Sequence, residues 1–296
     1  GLIGKGGTNR AIAAQLGLSL RTVETHRKNI TVKVGAKGGE LVRLAALGDV
    51  VHTWPLADAV RAARPEAHLT WVVEAAFAPI VDGHPAVDLV IPIRSKAWRR
   101  APFDARTRHQ VAALKTRLRE IEADLVLDPQ GLLKSAVVTR WTRAPRRVGL
   151  ARPWRRELVA GVAYTERLPG SLDHPHVVAT NLALAAAVGG RASAEPVPPD
   201  GRWLADRVAS HPVPGGDRGP RAVLLAGVGQ PRKSVSAEVM GEVARGLTAD
   251  ELDVVVAFGP GEESHAGRIV DCSGGCARLA PPTDLLELVR LLDGSR

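Results

Sequence analysis

Aromatic residues make up only 3% of this 296-residue chain, and cysteine occurs just twice. Cys272 and Cys276 lie in DCSGGC, which is not a C-x-x-C spacing, and no further cysteine or paired histidine completes a metal-binding set. No metal ion or other cofactor is therefore expected, and the pair reads as two thiols in a reducing cytoplasm. No apolar run reaches the roughly 18 residues that a membrane span requires. The first residues, GLIGKGGTNR, form neither a signal peptide nor an initiating methionine, which reads as a chain beginning inside a longer frame. Acidic residues are in deficit: 31 Asp and Glu stand against 40 Lys and Arg, giving a net charge of +9. That balance favours polyanionic partners, whether nucleic acid, anionic lipid or phosphorylated sugars.

The remaining composition is that of a folded protein. Hydrophobic residues supply 45% of the chain and charged residues 24%, so disorder is not the default. The length suggests two or three domains.

The first stretch, TNRAIAAQLGLSLRTVETHRKNITVKVGA, holds two helical patterns around a tight turn. Thr8 or Asn9 can cap the first helix, with Ile12, Ala13 and Leu16 on its apolar face. Gly17 ends that helix and Ser19 caps a second, basic one, which together make a helix-turn-helix. From Gly6 to Ala36 the segment resembles the LuxR/GerE-type DNA-binding domain. The resemblance implies that Thr22, Val23, His26 and Arg27, with Arg21, Thr25 and Lys28, face DNA from the recognition helix. It also places Lys33 and Thr8 on phosphates, contacts that set register without reading sequence. The family's first helix is absent, because the chain starts at Gly1, and the bland alternative is a helical pair whose charges are merely solvated.

From Val42 the rhythm changes. A short apolar run and a Gly-Asp loop precede a helix over about 55–63, then a strand in HLTWVVE, a helical stretch and a strand in LVIPI. ADLVLDPQGLLKSAVVTRWT repeats strand, loop and helix. This alternation predicts a parallel α/β sheet of Rossmann type, with ligands at the carboxyl ends of the strands. A Pro/Gly-rich linker over 196–221 separates it from a second such region, in which RAVLLAGVGQPRKSVSAEVMGEVARGL and DVVVAFGPGEESHAGRIV each give strand, loop and helix. The expected domains are thus a partial helix-turn-helix (1–40), a first Rossmann-like domain (41–195), the linker, and an incomplete second domain (222–296).

LGDVVHTWPL, WVVEAAFAPIVDGHPAVDLVIPI, DLVLDPQGLLKSA and RRVGLARPWRRELVAGVAYTERL, in that order and spacing, resemble glycosyltransferase family 9 and, within it, the lipopolysaccharide heptosyltransferase I group. The resemblance implies a GT-B-like pair of Rossmann-type domains and transfer of L-glycero-D-manno-heptose, with inversion, from ADP-heptose to the Kdo region of lipid A. It implies work at the cytoplasmic face of the inner membrane, with peripheral membrane contact. Asp49 falls on the family's general base, and a sugar hydroxyl, a poor nucleophile at neutral pH, needs such a base. The competing role for Asp49 is capping of the helix that follows. Lys96, Arg99 and Arg100 match the basic cluster that receives the acidic acceptor, with Lys134, Arg155 and Arg156 as further candidates. Lys233 matches the lysine that neutralises the donor diphosphate, and Gly227 and Gly229 leave room for backbone N–H groups to approach a phosphate. Around Lys233 the loop departs from the family, with Val228, Gly229 and Val235 in place of hydroxyl residues and a tryptophan. The family's next strand and its DTGLxH loop do not follow LLDGSR, so weak or absent turnover is expected.

The two resemblances meet in LVRLAALGDVVHTWP, which suits the end of the first and the start of the second. Leu41 to Ala45 is expected to form the first strand of the sheet. The alternatives to the enzyme are a DNA-binding regulator acting through residues 1–36, or a fusion fragment with neither activity.

Overall fold

The computed structural model describes residues 47–170, 176–190, 197–227 and 235–295. The expected helix-turn-helix, the expected strand Leu41–Ala45, and Gly229 and Lys233 lie outside them.

The described chain is α/β, with all strands paired in parallel. A one-turn helix, α1 (Leu47–Val51), leads into α2 (Trp54–Ala63), where Pro55 sits in the first turn and lacks only an N–H that would have no helical partner. Strand β1 (Thr70–Glu74) pairs with β2 (Leu89–Ile93) in the register Thr70 to Leu89 and Glu74 to Ile93. Pro92 is tolerated because β2 is the edge of this pair. After α3 (Ser95–Arg100) and α4 (Ala105–Glu120) comes a second set, β3 (Leu125–Asp128), β4 (Arg146–Leu150) and β5 (Glu166–Leu168), with α5 (Leu133–Trp141) between β3 and β4.

Helix α2 splits its apolar face between two cores. Leu56 and Val60 pack with Val148, Leu150 and Leu184, whereas Trp54 packs with Val73, Ile80 and Leu204. Leu114 and Leu118 of α4, four residues apart, meet Ile91 and Ile93 of β2. Short helix α6 (Val177–Leu182) follows β5, and the Pro/Gly-rich stretch contains helix α7 (Arg202–Val208), whose Leu204 and Val208 are buried.

The third sheet runs β6 (Arg221–Leu225), β7 (Asp253–Ala257), β8 (Ala277–Leu279). Its central strand shows the period of two that a sheet covered on both faces demands. Val254 and Val256 point to α8 (Ala237–Ala249) and α9 (Glu263–Cys272), whereas Val255 and Ala257 point to α10 (Leu285–Leu292). Helices α8 and α9 cross at Gly241, where an added Cβ would lie 2.6 Å from the backbone carbon of Cys272. Asp284 and Glu287 form a reciprocal capping box at the start of α10. That helix faces both domains, with Leu288 and Leu291 on its own sheet and Leu285, Leu286 and Val289 against the Ile80–Val81 cluster of the first.

The strands β1 and β3 do not pair with each other, and a cavity of about 640 Å³ runs between them. All of β1 and all of β3 line it, roofed by Leu56, Val60, Leu118 and Val138, with Asp49, Glu74, Asp128 and Gln130 at one end.

Candidate active site

The site forms where β1, β3 and β4 end, as expected of an open parallel sheet. The Gly-Asp loop turns directly into α1, so Asp49 stands on that helix instead of capping the next one. Thr53 occupies the N-cap of α2, without a side-chain cap bond, and its hydroxyl donates to the Asp49 carbonyl at 2.7 Å. The Asp49 carboxylate is left free to turn outward, where both oxygens accept from Arg156, at 3.2 Å and 3.1 Å. Buried Asn181 fixes the far side of the loop by donating to the His52 carbonyl and the Thr53 hydroxyl. Burial pulls the His52 imidazole below its ordinary value, with His176 adding to the effect and Asp49 opposing it.

Two loops hold Arg156 in place. Asp128, buried at the end of β3, accepts from the backbone N–H groups of Gln130 and Gly131 and from the Tyr164 hydroxyl at 2.7 Å. Burial pushes the Asp128 carboxyl up, against the hydrogen bonds from Ser135, Tyr164 and the two amides. Gly131 has φ +62°, and an added Cβ would lie 2.8 Å from Cγ of Arg155, so only glycine fits there. The Glu157 carboxylate then accepts from the Leu133 N–H at 2.6 Å, and the Glu157 N–H donates to the Gly131 carbonyl. Arg155 is not available to an acceptor. It is buried, and its guanidinium donates to the carbonyls of Leu150, Glu157 and Leu158, which explains why this arginine builds the loop while its neighbour faces outward.

Lys134 enters the same space from the first turn of α5. Its Nζ is buried and has no hydrogen-bond partner. Burial, reinforced by Arg99, lowers its pKa to about 7, against the pull of Glu74, Glu157 and Asp49. Glu74, at the end of β1, is itself buried and accepts from the Ser95 N–H and hydroxyl. Thus Asp49, Arg156, Lys134 and Arg99 gather in one cleft. Lys96 and Arg100 are exposed on α3, where Arg99 also lies. Trp98 donates from its indole N–H to Gln110 and packs beside Leu114, a structural role. Glu74 and Glu157 were not singled out from the sequence, and nothing in an isolated Glu signals a role in a distant cleft.

On the second domain Gly227 follows β6, and the Glu262 carboxylate occupies the space above it. An added Cβ at Gly227 would lie 1.8 Å from Glu262 Cδ, and Glu262 accepts from the Gly259 N–H at 2.9 Å. Glu262 also escaped the sequence reading, although its place after the second strand of a Rossmann unit was a usable signal. Next to it, a shallower cavity of about 330 Å³ lies between the starts of α8 and α9, lined in part by Val235, His265 and Arg268.

Comparison with known proteins follows the same division of the chain. The family model described as glycosyltransferase family 9 (heptosyltransferase) matches residues 111–296, and that of the bacterial regulatory proteins, luxR family, matches residues 1–45. A lipopolysaccharide heptosyltransferase 1 of Pseudomonas aeruginosa is 43% identical over 130 residues, 44% of this chain and 36% of that protein. One from Escherichia coli K12 is 36% identical over 129 residues, 43% of this chain and 40% of that protein. The aligned stretch therefore spans well under two thirds of these curated relatives. Among solved structures, the E. coli heptosyltransferase WaaC with ADP has a TM-score of 0.72 at 30% identity, over 85% of this chain and 77% of that one. The same enzyme with ADP-2-deoxy-2-fluoro heptose gives 0.71 at 29% identity, over 85% of this chain and 78% of that one. A family 9 glycosyltransferase from Veillonella parvula, at 18% identity over 84% of this chain and 70% of that one, shares the fold with a TM-score of 0.61.

Proposed function

The chain belongs to glycosyltransferase family 9, and from that premise we propose that it transfers L-glycero-D-manno-heptose from ADP-heptose to the Kdo region of lipid A. The observation that carries this reading is the Asp49–Arg156 pair at the mouth of a cationic cleft. Asp49 takes the proton of the attacking hydroxyl, and the oxygen displaces ADP from the anomeric carbon in one step, which inverts that carbon. Arg156, Lys96, Arg99, Arg100 and Lys134 receive the carboxylates of the acidic acceptor sugars, and Arg156 can do so with two parallel hydrogen bonds. The donor lies across the cleft. Gly229 and Lys233 approach its diphosphate, whereas the expected approach at Gly227 is taken by the Glu262 carboxylate, which stands in the Rossmann position that accepts from ribose hydroxyls. The solved relatives that hold ADP and ADP-2-deoxy-2-fluoro heptose support this donor class. The reaction belongs at the cytoplasmic face of the inner membrane, where the chain docks peripherally.

The test is incubation with ADP-heptose and Kdo-lipid A, reading the glycosylated lipid by mass spectrometry and its anomeric configuration by NMR. A heptosylated, inverted product that disappears in Asp49→Asn supports the reading. Turnover that survives Asp49→Asn removes Asp49 as the base.

A second reading rests on the luxR-family match at residues 1–45, which supports DNA contact through residues 1–36 by Thr22, Val23, His26, Arg27 and Lys33. Titration with duplex DNA at several salt concentrations separates the two. A regulator shows affinity falling steeply with salt, whereas a transferase without DNA contacts shows none.

A further inference from the structure

Helix α5 and the 3-10 turn Leu158–Ala163 pack through small buried residues, Ala136, Ala160 and Ala163, together with Tyr164. That close approach leaves their larger apolar side chains outside. Leu133 and Val137, four residues apart on one face of α5, are exposed, as are Leu158 and Val159, and Val162 is 84% exposed. Five large apolar side chains are thus exposed on two elements that pack against each other.

Its surroundings are cationic. Residues 133–168 carry nine Lys and Arg against two Glu, and although Arg155 and Lys134 are turned inward, Arg140, Arg143, Arg146, Arg152, Arg156 and Arg167 are exposed. Both acids are engaged, Glu157 with the Leu133 N–H and Glu166 with Arg146. Arg140 continues the exposed face of α5 one turn beyond Val137, and Arg152 is exposed ahead of the turn. The patch also abuts the cleft, since Leu158 follows Arg156 by two residues and Arg156 holds Asp49.

We propose that this face is a membrane-docking surface: Leu158, Val159 and Val162, with Leu133 and Val137, enter the acyl boundary of an anionic bilayer, while Arg140 and Arg152 meet lipid phosphates. Apolar insertion and basic attraction together make the two signals that stable interfacial binding requires. The surface presents the cleft to an acceptor whose sugars stand on a lipid, and in this respect it rests on the transferase reading above.

The experiment measures sedimentation of the full chain with vesicles of phosphatidylcholine, with and without phosphatidylglycerol. The parent chain is expected to pellet with the anionic vesicles and to be released partly by salt. The doubly substituted Val159→Asp/Val162→Asp chain should lose at least about ten-fold in partitioning, as expected for withdrawing two exposed valines from the acyl boundary. Arg140→Glu/Arg152→Glu should lose binding to anionic vesicles and its salt dependence. Unchanged far-UV circular dichroism and melting confirm that these surface variants fold. Retained vesicle binding by Val159→Asp/Val162→Asp overturns the proposal. So does a parent chain that ignores vesicles but self-associates through this face, which gel filtration of the same variant would reveal. Activity separates the two readings. Val159→Asp/Val162→Asp should lose turnover on vesicle-embedded acceptor and keep it on a de-acylated, soluble one. Vesicle binding with neither turnover on either acceptor nor binding of ADP-heptose defeats the transferase reading and leaves the docking surface standing.

Discussion

The two carboxylate oxygens of Asp49 meet the two terminal nitrogens of Arg156, at 3.2 Å and 3.1 Å, across 107 residues of sequence. The residue proposed as base is thus held by a residue proposed to receive the acceptor. In the proposed reaction an acidic acceptor would compete with Asp49 for the same guanidinium, which would couple acceptor binding to release of the base. On the same proposal, the engaged oxygens would activate water poorly without the acceptor and so protect the donor from hydrolysis.

Asp49→Asn is therefore expected to lower kcat by about 10²–10⁴, the usual contribution of a positioned base. Arg156→Ala is expected to raise the acceptor KM and to increase ADP release without acceptor. Steady-state kinetics on both substrates check this, and an Arg156→Ala chain with unchanged KM and no added hydrolysis would refute the coupling. The ion pair is partly exposed, so its loss should cost stability no more than about 1 kcal/mol.

Lys134 supplies a pH test. Its folded pKa is lowered from 10.5 to about 7, chiefly by burial. An incoming carboxylate favours the charged ammonium, so acceptor binding takes up a proton. Acceptor KM should rise as pH increases through 7, and Lys134→Met should have a high KM with a flatter profile. Because the depressed value means that the fold disfavours the ammonium at neutral pH, Lys134→Met should also melt higher than the parent. A parent profile with no rise through 7 would take Lys134 out of acceptor binding.

Local patterns carried most of the fold. LVIPI is the whole of β2, and HLTWVVE contains β1. Asp49 was legible because it falls in the LGDVVHT motif of the family resemblance. The partner it found was not, since ARPWRRELV does not say that Arg155 turns inward to three carbonyls while Arg156 turns out. Helix α7 was hidden for a similar reason. Prolines and glycines on both sides read as linker, but Leu204 and Val208, four residues apart, bury against neighbouring elements.

The cavity between β1 and β3 gives the expectation for Leu41 to Ala45 a concrete test. Strands β1 and β3, of five and four residues, line it from opposite sides, and among the described residues they do not pair with each other. We propose that the short apolar run immediately before Leu47 forms the strand expected from the sequence. A chain beginning at Gly38 should therefore keep the parent melting temperature, whereas one beginning at Leu47 should melt lower by several degrees, with new amide exchange in β1 and β3. Equal melting and equal exchange in the two would show that residues 38–46 do not support the sheet.

A buried histidine sets an acid limit on stability. His84 is 3% exposed, enclosed by Trp54, Trp71 and Trp203, and its Nδ1 accepts from the Ala86 N–H at 3.1 Å. Burial lowers its pKa from 6.5 to about 4, so the fold holds the neutral ring. The unfolded chain binds a proton below about 6.5 that the folded chain refuses until about 4. The stability supplied by keeping His84 neutral is thus complete above pH 6.5 and drains between 6.5 and 4, by at most about 1.4 kcal/mol per pH unit for one proton. Asp58, 3.9 Å from Nε2 and half exposed, is too distant for a normal hydrogen bond and too hydrated to hold the imidazolium in the fold. Chemical denaturation at pH 7, 6, 5 and 4 should show this decline, and His84→Gln, which keeps an acceptor without a titrating ring, should flatten it despite a lower stability at pH 7. An equally steep decline in His84→Gln would assign the acid sensitivity to other groups.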